Sequence, residues 1–281
     1  MTVSRAVAAV VLSLLATLAA AQERVSFPSF DGAGNAPVVL SGYFFAAATS
    51  PAPAPAIAMF HGCGGAYDKS GQLSRRMREY AELFNGLGMH VLVVDSLTAR
   101  YEKELCTQRN GSRRVTQANR RLDALGAIAY LADRADVDAK RIGMIGWSNG
   151  GSTVLSATNL HHRDVAAAIV KPAFAIAFYP GCESDLKRGY SPAAPLLMLV
   201  GQLDDWTPSA PCVALARSVT EMRPEIAVYP GAWHGFDSDA PVRLRKDVPN
   251  GVNPGQGVHV GGNPAAWRAS RDRVVRFLAE H

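Results

Sequence analysis

Six short stretches run apolar almost without interruption: Ala56 to Phe60, Met89 to Val94, Ile142 to Ile145, Phe174 to Phe178, Leu196 to Val200 and Ile226 to Tyr229. A strand buried on both faces of a sheet reads this way, because neither side of it meets water. A further β-rich stretch, Pro37 to Phe45, stands before them, followed by an Ala/Pro-rich linker from Ala46 to Pro55. Between the apolar runs lie segments of helical spacing: Leu73 to Leu87, Val115 to Ala135, Gly150 to Asn159 and Ala210 to Met222. In the second of these, Ala118, Leu122, Leu125, Ala129 and Ala132 fall on one face, which is expected to pack on the sheet. Trp267, Val274, Val275 and Leu278 predict a closing helix over Pro264 to Glu280. Strand alternating with helix predicts an α/β fold, a doubly wound and mostly parallel sheet in one domain, residues 22–281, with its ligand site at the carboxyl ends of the strands.

The first residues follow a different pattern. Arg5 is the lone charge before an apolar run from Ala6 to Ala20 broken by Ser13 and Thr17, and Ala19-Ala20-Ala21 precedes Gln22. A positive start, an apolar centre and small residues at the end are the parts of a secretory signal peptide, so residues 1–21 are expected to be removed and the protein to be secreted or periplasmic. No later stretch has the roughly 18 apolar residues of a membrane span, and no membrane association is expected after processing.

Composition changes the picture little. The 281 residues are 48% hydrophobic and 19% charged, which excludes a disordered or fibrous chain. The net charge of +5 is spread thinly, with small clusters at Arg113-Arg114, Arg120-Arg121 and Arg243/Arg245/Lys246, so nucleic acid is not an expected partner. Four cysteines, Cys63, Cys106, Cys182 and Cys212, lack metal-ligand spacing. Neither a metal nor another cofactor is expected. In an exported chain the even count predicts disulfides. Three pairings are possible; Cys63–Cys106 and Cys182–Cys212 are favoured because Cys182 follows one strand and Cys212 the acid loop of the next, neighbours at one sheet edge.

Gly146-Trp147-Ser148-Asn149-Gly150 directly follows the run Ile142 to Ile145 and opens a helical segment. A G-x-S-x-G sequence in that setting is a nucleophile elbow: glycines leave room for a sharp turn that lifts the serine hydroxyl above the sheet. A phosphate-binding turn without chemistry is the plainer alternative, but an acid and a base follow in the order this architecture uses. Asp204 and Asp205 begin where Leu196 to Val200 ends, and His234 lies in a loop beyond the last strand. Ser148 is therefore expected to be the nucleophile and His234 its base, oriented by one of the two carboxylates. His61-Gly62-Cys63-Gly64-Gly65 follows the first buried strand and is similar to the loops that supply an oxyanion donor, which assigns the backbone N–H groups of Cys63 and Asn149 to that role. Cys63 lacks the elbow setting of a nucleophile.

These residues together resemble the dienelactone hydrolase family of α/β-hydrolases. The resemblance runs from about Pro37 to Glu280 and rests most on Tyr229-Pro230-Gly231-Ala232-Trp233-His234-Gly235-Phe236. It selects Asp204 over Asp205 by the spacing of the acid loop, and it implies the α/β-hydrolase fold, a Ser148, Asp204 and His234 triad and ester chemistry on a small-molecule substrate. Two departures stand out: the name-giving enzymes have a cysteine where this chain has Ser148, and an arginine that holds the lactone carboxylate has Ser238 at the matching place. Dienelactone itself is therefore not the expected substrate.

The expected function is an exported serine hydrolase that cleaves carboxylic esters through an acyl-enzyme. A peptidase or amidase with the same triad and a non-catalytic binding protein on the same fold are the alternatives. Trp147, Trp206, Trp233 and Phe236 flank the proposed catalytic residues and are expected to line the substrate pocket. The segment from Ser238 to Asn263 reads as a surface loop, with a lid as the other reading.

Overall fold

All six apolar runs lie side by side in one eight-stranded sheet. The computed structural model describes residues 22–33, 36–48 and 52–281; the expected signal peptide and part of the linker lie outside them. The strands are β1 (Gln22–Ala33), β2 (Ala36–Phe45), β3 (Ala54–Phe60), β4 (His90–Asp95), β5 (Val137–Trp147), β6 (Phe174–Phe178), β7 (Leu196–Gly201) and β8 (Glu225–Tyr229), in the order β1-β2-β4-β3-β5-β6-β7-β8. The pairs from β4 through β8 are parallel, and β1 and β2 are added antiparallel at one edge. The order reverses at β3, where strands run outward to both sides, which is where such a sheet opens a crevice for a ligand.

Helices cover both faces, and alternate strand residues choose between them. Ala56, Ala58, Phe60, Ile142, Met144, Met198 and Val200 belong to the core beneath α2 (Gln117–Ala132), α3 (Asn149–Ala157) and α6 (Ser209–Ser218). Ile57, Met59, Ile145, Trp147, Ile176, Phe178 and Leu199 point the other way, toward α1 (Arg75–Gly86) and α7 (Pro264–Glu280). Two short helices, α4 (Arg163–Ala167) and α5 (Glu183–Arg188), lie in the connections.

Three expectations change. β1 was not anticipated: its residues alternate between exposed and buried, the pattern of an edge strand with one wet face. The buried face of α2 is shifted from the one read in the sequence: Leu125 is buried as expected, but Arg120, Asp123, Ala124, Ala127, Ile128 and Leu131 also face inward, while Ala118 is exposed and Leu122, Ala129 and Ala132 are half-buried. In α7, Ala266, Ser270, Val274 and Phe277 are buried and Val275 is exposed.

The segment from Ser238 to Asn263 contains a small antiparallel pair, β9 (Arg243–Arg245) and β10 (Val258–Val260). It is stitched down at several points, by Gly261 N–H to the His234 carbonyl at 3.0 Å, Asn263 N–H to the Phe236 carbonyl at 2.9 Å and Val252 N–H to the Asp205 carbonyl at 2.8 Å. Cys63 is bonded to Cys106 and Cys182 to Cys212. Cys212 stands on α6 and not on a strand, and Cys182 caps α5. No helix among the described residues is long and apolar enough to cross a membrane.

Candidate active site

Ser148 sits at the end of β5 with φ 55° and ψ −117°, in the left-handed half of backbone space that residues with a side chain rarely occupy. The glycines around it make the turn possible. A Cβ on Gly146 would lie 2.1 Å from the Gly150 carbonyl oxygen, and one on Gly150 would lie 2.0 Å from that of Phe60. The chain therefore passes from strand to helix with α3 pressed against the end of β3. The Ser148 N–H donates to the Phe178 carbonyl at 2.9 Å, which ties the elbow to β6.

His234 Nε2 stands 2.8 Å from Ser148 Oγ, and His234 Nδ1 stands 2.8 Å from Asp204 Oδ2. All three residues are buried. Asp204 also accepts the backbone N–H groups of Trp206 at 2.9 Å and Thr207 at 2.8 Å on its other oxygen, which fixes the orientation of its carboxylate. A carboxylate accepting from Nδ1–H leaves Nε2 bare to take a proton from the serine. The Thr207 hydroxyl donates to the Tyr179 carbonyl at 2.9 Å and closes the acid loop onto the end of β6.

The imidazole lies between the rings of Tyr179, 4.6 Å away, and Trp206, 4.7 Å away. Tyr179 donates its hydroxyl to Asp237 at 2.6 Å, and Asp237 in turn accepts both arms of the Arg76 guanidinium at 3.0 Å. Burial holds the Tyr179 hydroxyl protonated well above its usual range. Asp237 follows His234 by three residues, so Tyr179, just after β6, and Arg76 of α1 together fix the loop that carries the imidazole. Neither Tyr179 nor Arg76 announces itself in the sequence, since each acts through a neighbour distant in the chain.

The other wall comes from residues 61–65. Gly62 lies against Ser148, where an added Cβ would meet the serine Cβ at 3.5 Å. Cys63 and Asn149 both border the cleft beside Ser148, and among the described residues the Cys63 N–H has no partner. The loop is braced by the disulfide to Cys106 and by Leu105 N–H donating to the Cys63 carbonyl at 2.7 Å. His61 itself is buried; its Nδ1–H donates to the Gly62 carbonyl at 2.7 Å. Burial, with the Arg120 charge nearby, lowers its pKa to about 3 and keeps it neutral.

The cleft above Ser148 has a volume of about 950 Å³. Trp206 lines it, together with Thr207, Gln117 and Ser152. Trp147 and Phe236, expected in this wall, are instead core residues: Trp147 packs on Tyr80 and Phe178 beneath the sheet, and Phe236 on Tyr179 and Tyr229. For Trp147 the cause is strand alternation, since the residue before Ser148 points to the face opposite the one that carries α3; Phe236 lies in the loop after β8 and turns inward against the aromatic core. Trp233 is half-buried and lies outside the cleft wall, with its ring 4.4 Å from that of His259. Ser238, where the resemblance places an arginine, donates to the Gly235 carbonyl at 2.9 Å.

Comparison with known proteins agrees with this architecture. The model of the dienelactone hydrolase family matches residues 40–281. Among curated proteins, YtaP of Bacillus subtilis is 28% identical over 120 residues, a match that spans 39% of this chain and only 40% of that protein. Among solved structures, a dienelactone hydrolase-like promiscuous phosphotriesterase from metagenomic libraries has a TM-score of 0.66 at 18% identity, over 92% of this chain and 98% of that one. A thermophilic esterase of Thermogutta terrifontis with propionate bound has a TM-score of 0.58 at 20% identity, over 90% of this chain and 93% of that one. These structures share the fold, and the family match extends from β2 to the last residue: the chain belongs to the dienelactone hydrolase family.

Proposed function

We propose that this protein is an exported serine esterase in which Ser148, His234 and Asp204 cleave carboxylic esters through an acyl-enzyme. The observation that carries the reading is the continuous relay from Ser148 Oγ through His234 to Asp204, with both contacts at 2.8 Å, on a strained elbow facing a cleft.

This arrangement supports each proposed step. Ser148 Oγ attacks the acyl carbonyl as its proton passes to His234 Nε2, and Asp204 stabilises the imidazolium that forms. The carbonyl oxygen, now negative, lies between the N–H groups of Cys63 and Asn149, of which one donor in a comparable site contributes about 3 kcal/mol. His234 then gives its proton to the departing alkoxide, and a water, deprotonated by the same imidazole, releases the acid. Two disulfides and the signal-like residues 1–21 support an exported protein.

Hydrolysis of short-chain p-nitrophenyl esters by the protein without residues 1–21 tests the reading. The expected result is turnover by wild type and loss of about 10⁴-fold or more in Ser148→Ala. Equal rates in the two proteins would remove Ser148 from the chemistry and favour the non-catalytic reading.

A further inference from the structure

The buried face of α2 carries two charged residues. Asp123 accepts Ser29 Oγ at 2.6 Å and two contacts from Arg100 at 2.8 and 3.0 Å, and these tie the helix to β1. Gly126 lies so close to β1 that a Cβ there would be 2.5 Å from the Pro28 carbonyl oxygen. A capping box between Thr116 and Asn119 fixes the first turn. α2 is thus fastened to β1 and capped at its first turn, and Arg120 projects from it into the interior with no exposed surface at all.

Arg120 spends its guanidinium on two neutral acceptors. Nη1 donates to Asn149 Oδ1 at 2.5 Å and Nη2 to the His61 carbonyl at 2.8 Å. Among the described residues no carboxylate forms an ion pair with it, and its Nε has no partner. Burying an arginine without a direct counter-charge costs several kcal/mol, far more than burying a methionine of similar length. Burial pulls its pKa down to about 10, against the opposing pull of Asp123 and Asp95, so it stays charged at neutral pH.

The two acceptors are not arbitrary. His61 stands two residues before Cys63, and Asn149 is the residue after Ser148, so the fork reaches both segments that carry the proposed oxyanion donors. These segments come from different strands and meet at a seam, where Gly150 lies under the Phe60 and His61 carbonyls with room for hydrogen alone. Gln117, one turn earlier on α2, strengthens the grip by donating to the Asn149 carbonyl at 3.1 Å.

From this we infer that Arg120 is a positioning residue for ester cleavage: its fork spans the seam and holds the Cys63 and Asn149 N–H groups at the separation a tetrahedral oxyanion requires. The inference rests on the proposed Ser148 chemistry. Its charge, in a dry interior close behind the two donors, also favours the negative oxygen that forms between them.

The test is kinetic, with kcat and KM measured on a p-nitrophenyl ester for wild type, Ser148→Ala, Arg120→Lys, Arg120→Met, Asn149→Ala and the Arg120→Lys/Asn149→Ala pair. Inhibition by an alkyl boronic acid, which forms the tetrahedral anion on an active serine, is measured alongside. A lysine keeps the charge but cannot span two acceptors as the fork does. Both Arg120 variants are therefore expected to lose about 10- to 100-fold in kcat with KM nearly unchanged, and boronate affinity is expected to fall in step with kcat/KM. The double variant is expected to lose less than the product of its single losses, because both remove one contact. Folding by circular dichroism is checked at the assay temperature; where Arg120→Met does not fold, Arg120→Lys and the double variant decide. Wild-type kcat in Arg120→Lys, or multiplicative losses, overturns the inference while leaving the triad standing. An active Ser148→Ala instead removes the chemistry on which it rests.

Discussion

Asp205 and His259, 54 residues apart, are joined twice: the His259 N–H donates to Asp205 Oδ1 at 2.8 Å, and His259 Nδ1 lies 2.7 Å from Asp205 Oδ2. The neighbouring carboxylate, Asp204, is turned the opposite way, to His234. Adjacent aspartates thus do separate work, one orienting the imidazole and the other fastening the segment that carries β9 and β10 to the acid loop.

This division predicts unequal variants. Asp204→Asn is expected to lower kcat by about 10⁴-fold with little change in fold, as for other triads. Asp205→Asn and His259→Ala are expected to lower kcat less than about tenfold and unfolding free energy by about 1 to 2 kcal/mol, the loss of a charge-assisted pair at a part-exposed site. Steady-state kinetics with urea unfolding separates the two cases, and equal kinetic losses would contradict the assignment.

The two disulfides are expected to differ in the same sense. Their sequence separations of 43 and 30 residues predict similar stabilities, about 4 kcal/mol each by chain entropy. Cys63 also carries a proposed oxyanion donor, whereas Cys182 and Cys212 link α5 to α6. Cys106→Ser is expected to reduce kcat at least several-fold more than Cys212→Ser at comparable loss of stability, measured on the folded fraction at low temperature.

At the elbow, Gly150→Ala is expected to abolish soluble, folded protein. The new methyl would stand 2.0 and 2.5 Å from the carbonyl oxygens of Phe60 and His61, both backbone atoms fixed in β3 and the loop after it. Gly111→Ala is the matching control: nothing lies within 4 Å of its added Cβ, and strain from its φ of 91° is the remaining cost. Yield and circular dichroism report the difference.

His61 gives the protein a pH dependence of known sign. Its folded pKa, lowered by burial to about 3, lies below the ordinary 6.5, so the unfolded chain binds the extra proton between those values. Stability from this site is complete above about pH 6.5 and falls by up to about 1.4 kcal/mol per pH unit as pH drops toward 3. His61→Gln is expected to flatten this slope, read as Tm between pH 7 and pH 4; an unchanged slope would show that the imidazole titrates normally in the fold.

Much of this arrangement was legible in the chain. The central strands are apolar on both faces, so periodicity marked them, and the elbow, acid loop and histidine loop follow those strands directly. Edge strand β1 escaped because its alternation is that of a half-wet surface. The face of α2 was misread for a related reason: Arg120 and Asp123 are polar, and hydrophobic spacing assigns such residues to solvent. Their burial depends on distant partners, with Ser29 of β1 and Arg100 donating to Asp123 while the His61 carbonyl after β3 and Asn149 of α3 accept from Arg120, which no local pattern contains. Trp147 and Phe236 are near catalytic residues in the chain but not in the cleft: Trp147, the residue before Ser148 at the end of β5, points to the opposite face of the sheet, and Phe236, in the loop after β8, turns into the core against Tyr179 and Tyr229. His259 showed no motif because its partner lies across the fold.

The central claim is that Ser148 is the nucleophile and His234 its base. Intact mass after treatment with a fluorophosphonate, followed by peptide mapping, tests it most directly. One adduct per chain is expected, on the peptide containing Ser148, with no adduct in Ser148→Ala and labelling slowed by orders of magnitude in His234→Ala. Labelling of Ser148→Ala at the wild-type rate, or an adduct on a different residue, would contradict the account.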